Sequence, residues 1–61
     1  MNEVFDLQKR GFYVALYFMP KDGCEGYIGR WDDDDWSERT DIGSFEGVVE
    51  RLMAIAEEYD E

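Results

Sequence analysis

The segment whose residue types and spacing most invite chemistry is Trp31-Asp32-Asp33-Asp34-Asp35-Trp36. Adjacent carboxylates offer the oxygen ligands that a hard cation such as Ca²⁺ takes. The EF-hand spacing fails, however. With Asp32 as the first position, the sixth is Ser37 where glycine is needed, and the twelfth is Gly43 where a bidentate glutamate is needed. Two other readings stand level with each other. One is a solvated hairpin loop, because aspartate side chains bond to nearby backbone in turns. The other is a protein-binding epitope. In that reading Asp32, Asp33, Asp34 and Asp35 supply charge, while Trp31 and Trp36 supply indoles that stack on arginine.

Other chemistry is poorly served. The sequence has no histidine, which removes the commonest general base, metal ligand and pH switch. Cys24 is the single cysteine, so no intrachain disulfide or CxxC pair forms. Asp22 and Glu25 beside it disfavour its thiolate, and Cys24 reads as a small, buried or half-buried side chain. Paired carboxylates do general acid–base work only in a cleft that desolvates one of them, and a chain this short rarely builds one. No Ser/His/Asp set, phosphate-cradling glycine loop or dinucleotide fingerprint is present, and Gly26-Tyr27-Ile28-Gly29 signals only local backbone freedom. The expectation is a protein without catalytic residues, metal or cofactor.

Composition narrows the alternatives. Sixty-one residues make one small acidic domain, spanning 1–61. At 44% apolar and 16% aromatic residues it is too hydrophobic for a disordered acidic tail. Sixteen acids against six bases leave a net charge of −10, which repels nucleic acid and anionic membrane. The expected partner is therefore a basic protein, a nucleic-acid-binding effector, with no direct nucleic-acid or membrane contact. The apolar run over residues 12–19 is too short to span a bilayer, and lone-cysteine usage fits a reducing compartment, so a soluble cytoplasmic protein is expected. Self-repulsion favours a monomer, although an exposed sheet edge leaves a homodimer open.

The elements that must position these residues follow from periodicity. Residues 12–19 read as a strand with Phe12, Val14, Leu16 and Phe18 on one face and Tyr13, Ala15, Tyr17 and Met19 on the other. Pro20-Lys21-Asp22-Gly23 supplies a turn. A second strand covers about 24–31, where Gly26 and Gly29 weaken it or admit a bulge. The aspartates form the next connection, and a third strand covers 36–42. Residues 1–9 fit either a short helix or an edge strand. Ser44 is a good N-cap, after which Phe45, Val48, Val49, Leu52, Ile55, Ala56 and Tyr59 recur at helical spacing. The expected fold is α+β: a three-stranded antiparallel meander with one C-terminal helix packed on one face.

The helix adds candidate binding residues. Glu46, Glu50, Ala54, Glu57 and Glu61 lie opposite the apolar stripe, with Glu58 and Asp60 beside them. Glu46–Glu50 and Glu57–Glu61 are like-charged i,i+4 pairs, and the last acids fall at the helix end where cations are preferred. Stability alone would place lysines there. A domain of this length has a diameter of about 27 Å. Duplex DNA of that length presents about 16 charges, comparable with the sixteen acidic side chains here. Solubility requires only about 2–8 net charges.

In whole-chain character — small size, no histidine, acid excess, meander plus helix — the sequence resembles the acidic DNA-mimic inhibitors of phages and mobile elements, anti-CRISPR proteins among them. That resemblance implies occlusion of a nucleic-acid-binding channel. Residues 12–31 and 44–59 are also similar in layout to HicB-type antitoxin domains, although Thr40-Asp41-Ile42-Gly43 departs from that family's segment before the helix. This second likeness implies neutralisation of a basic toxin. With neither histidine nor paired cysteine and a failed calcium spacing, thermal unfolding with and without a chelator is expected to give superimposable curves. A chelator-induced fall of many degrees would reveal a metal coupled to folding.

Overall fold

Branched and aromatic residues at alternating positions make residues 12–19 a strand, and β1 (Phe12–Met19) is the first of three. In the computed structural model, which describes residues 3–60, the order is α1 (Glu3–Lys9), β1, β2 (Gly23–Arg30), β3 (Asp33–Arg39) and α2 (Phe45–Asp60). The sheet order is β1-β2-β3, antiparallel throughout. Gly23 closes the first hairpin with φ +106°, in the left-handed region that favours glycine. α2 begins as its sequence dictates: the Ser44 hydroxyl accepts the Gly47 N–H at 3.1 Å, and the Ser44 carbonyl accepts the Val48 N–H at 2.9 Å.

The core is one layer between α2 and a single face of the sheet. Phe12, Cys24 and Ile28 lie under Val48, Leu52, Ile55 and Ala56, and all are buried. Burying a Val, Leu or Ile side chain contributes about 1.5–3 kcal/mol. Gly26 sets how closely the helix approaches. A Cβ there would stand 2.8 Å from Val48 Cγ1 and 3.1 Å from Leu52 Cδ1.

The sequence leaves one segment open between two alternatives, and another segment differs from its expectation. Residues 3–9 form a helix, docked by the fully buried Leu7. Gly11 ends it with φ +96°, donating its N–H to the Gln8 carbonyl. The third strand starts at Asp33, not Trp36, and the connection shrinks to Trp31-Asp32. The cause is a large bulge. Gly29 pairs with Ser37 and Arg30 with Asp33, so one step along β2 matches four along β3. The extra residues let Trp36 turn into the core against Phe12 and Tyr59. Beyond Arg39 the chain still follows β2, through Thr40, whose hydroxyl accepts the buried Gly26 N–H, and through paired backbone bonds between Cys24 and Gly43.

Replacing Gly26 with alanine is expected to cost about 1–3 kcal/mol by overpacking, lowering Tm by about 4–8 °C per kcal/mol in a domain of this size. Gly43→Ala is the control, because a Cβ there meets nothing within 4 Å. Equal melting temperatures for the two variants would contradict the close helix–sheet approach.

Candidate partner-binding surface

α2 runs back along the sheet from Phe45, stacked on Phe18, to Tyr59, packed on Phe12. Its last turn therefore meets the start of β3. Tyr59 donates its hydroxyl to Asp33 at 3.3 Å, so Glu57, Glu58 and Asp60 share one end of the molecule with residues 32–35.

The aspartates at that end divide into two kinds. Asp32 is exposed but held by Arg30, whose Nε and Nη2 donate to its carboxylate at 3.0 and 3.2 Å. That hydrogen bond, opposed by partial desolvation and aided by the guanidinium charge, keeps the Asp32 pKa below its ordinary value. Asp33 is half-buried and accepts from both Tyr59 and the Asp35 N–H. Asp34 and Asp35 are exposed. Trp36 belongs to the core's aromatic rim, half-buried 4.6 Å from Tyr59 and 5.9 Å from Phe12, whereas Trp31 is 73% exposed. Glu46, Glu50, Glu57 and Glu58 are exposed on α2. Glu61 lies outside the described residues.

Two arginines from other elements supply the cations that α2 lacks in its own last turn. Arg10 pairs with Asp60. Arg30 lies 4.7 Å over the Phe12 ring and 5.2 Å from Tyr59, and donates to the Arg10 carbonyl at 2.8 Å. Its Asp32 hydrogen bond raises the Arg30 pKa further. Partial burial, then the Asp33 charge, push the Tyr59 phenol above its ordinary value. Among the described residues, the ion pairs are Arg10–Asp60 and Arg30–Asp32. The exposed acids Asp34, Asp35, Glu38, Glu46, Glu50, Glu57 and Glu58 therefore stand without a cationic partner among those residues.

Sequence reasoning singled out Trp31 but missed its setting. The sheet face turned away from α2 carries Tyr13 against Trp31, with centroids 5.0 Å apart, and Tyr17 against Tyr27, 5.4 Å apart. Arg39 stands opposite Tyr27 in register, and interaction with the tyrosine hydroxyl holds its pKa above the ordinary value. The alternation over 12–19 already placed the β1 tyrosines there.

An open cleft of about 220 Å³ between Thr40 and Arg51 contains no cluster of acid–base groups. Among the described residues no group of three or more Cys, Asp or Glu side chains converges as a metal site, and no helix is long and apolar enough to cross a membrane. Comparison of the chain with known protein families, curated proteins and solved structures finds no match.

The Asp32–Arg30 pair predicts a pH signature. Asp32 has a folded-state pKa below its unfolded value of about 3.9, so its contribution is fully present above that value and is lost as pH falls through the folded pKa. Denaturant unfolding of the parent and Asp32→Asn should accordingly differ by an amount that is constant near neutral pH. On acidification through that range the difference shifts against the parent. A pH-independent difference would show that the pair does not form in solution.

Proposed function

We propose that this chain is a small acidic inhibitor that docks on the basic nucleic-acid-binding surface of a target protein, in the manner of a DNA mimic. The observation that carries this reading is the number of exposed, unpaired carboxylates on α2 and β3, on a molecule whose arginines at the acidic end are already engaged within the fold. A duplex as long as the 34 Å principal axis carries about 20 phosphate charges. The sixteen acids of the chain, offset by six bases, are of that order. Glu57 and Glu58, exposed towards the end of α2 where the macrodipole prefers cations, oppose helix stability by about 0.3–1 kcal/mol each and are explained by binding better than by folding.

A second reading shares the surface. The β-β-β-α order with a Ser44-capped helix also suits an antitoxin-type domain that neutralises a basic toxin. The two separate on competition: a DNA mimic is displaced by duplex DNA from one shared site, whereas a toxin-neutralising domain need not be.

Affinity capture on the immobilised protein, with and without a duplex oligonucleotide, tests the proposal. The expected catch is a basic nucleic-acid-binding protein that the duplex displaces and that rising salt releases steeply. A combined Asp34→Asn, Asp35→Asn, Glu46→Gln, Glu50→Gln and Glu57→Gln variant should associate more slowly and inhibit less, while melting at the same or a higher temperature. Undiminished binding by that folded variant would reduce the acids to a solubility coat.

A further inference from the structure

We propose that the sheet face opposite α2 is a guanidinium-binding surface, where the Tyr13–Trp31 pair receives an arginine side chain from a basic segment of the partner. The proposal rests on the reading of the chain as a binder of basic proteins and names the chemistry that the partner brings. Both helices pack on the other side with Leu7 and the α2 stripe, leaving this face uncovered among the described residues.

The pair is built for a planar cation. The Tyr13 ring lies over Gly29, in the space where any Cβ would fall, so the glycine allows the ring to rest on the sheet. The Trp31 backbone is anchored by its main-chain N–H, which donates to the Gly11 carbonyl at 3.2 Å, and the indole packs at 50° to the tyrosine ring. Two rings in contact at an angle thus make an open corner. An indole 73% exposed beside the hairpin turn adds little to the core, and the fold offers no reason for it.

The rest of the chain shows which group suits such rings. Arg30 already rests on Phe12 and Tyr59. Among the described residues no arginine is placed over Tyr13 or Trp31. Asp34 and Asp35, three and four positions along the chain from Trp31, are exposed and carry no ion pair among the described residues, which complements an incoming cation and repels a second copy of a chain at −10. Area argues the same way. Three strands about eight residues long cover roughly 26 × 14 Å. This is on the order of 370 Å², against about 800 Å² per partner in a standard stable interface. Such a face suits one short segment better than a dimer. Arginine is favoured over lysine because its flat, weakly hydrated guanidinium stacks on aromatic rings.

Labelled nona-arginine and nona-lysine peptides, matched in charge, test this by fluorescence anisotropy. The parent should prefer nona-arginine by about two- to fivefold. Trp31→Ala, and independently Tyr13→Leu, which keeps an apolar cover over Gly29, should bring that ratio close to one with little change in nona-lysine binding. If both folded variants keep the parental ratio, the proposal is overturned, while salt-sensitive binding of both peptides leaves the acidic-surface reading standing. If neither peptide binds the parent, both readings fall together. Concentration-dependent dimerisation that Trp31→Ala abolishes would assign the face to a second copy and overturn the proposal.

Discussion

Like-charge repulsion on a domain of this size has to be held in check by one layer of side chains. A core in a 61-residue chain supplies only about 3–5 kcal/mol of net stability, and a charge of −10 works against it. Every carboxylate that comes near the layer must therefore be compensated or kept outside. Phe12, Cys24 and Ile28 beneath Val48, Leu52, Ile55 and Ala56 make the layer entirely apolar. Gly26 lets α2 approach closely, since a Cβ there would collide with Val48 and Leu52. Among the described residues no second layer covers the far side of the sheet, so the side carrying α2 and Leu7 of α1 bears the burden of folding.

The arginines show how the compensation is arranged. The end of α2 concentrates Glu57, Glu58 and Asp60 at the negative pole of the helix, and the start of β3 adds more acids there. Arg10 and Arg30 reach this end from the α1–β1 connection and from β2; both lie over the Phe12 ring, and Arg30 over Tyr59 as well. Their guanidinium groups thus serve the fold at the point of greatest repulsion. A cation used this way is unavailable to neutralise the outer face of α2 or the bulge of β3.

The fold was legible wherever a local pattern sufficed. The 3.6-residue stripe from Phe45 to Tyr59, the Ser44 cap, the alternation of β1 and the turn at Pro20–Gly23 all form as their residues indicate. Two elements depended on distant partners. α1 is too short to persist by propensity and takes its shape from the burial of Leu7. The start of β3 is decided by Trp36, which leaves the ladder to meet Phe12 and Tyr59, and aspartate's preference for turns masked that pull. The same limit applied to the site. Helix periodicity exposed Glu46, Glu50 and Glu57, but the engagement of Asp33 with Tyr59, 26 positions away, has no signature in the sequence. Trp31 and Tyr13 were visible as aromatics; only the placement of both helices on one side shows that their face stays open.

Charge and shape are thereby assigned to different parts of the molecule. The unpaired acids sit at exposed positions on long or flexible side chains, where a field screened within about 8 Å at physiological salt speeds encounter and tolerates many geometries. Such a field draws in basic surfaces generally and discriminates weakly among them. Selectivity requires groups whose positions are fixed before contact. On the exposed surface the best-fixed groups are the rings of the open sheet face, held by Gly29, by the Trp31–Gly11 backbone bond and by the paired register of β1 and β2. An acidic coat without that face would bind cations of any shape. In the reading proposed above, the face without the coat would meet a basic partner slowly and hold it weakly. The separation also leaves the core to folding alone, since neither the outer acids nor the open rings contribute to the layer beneath α2.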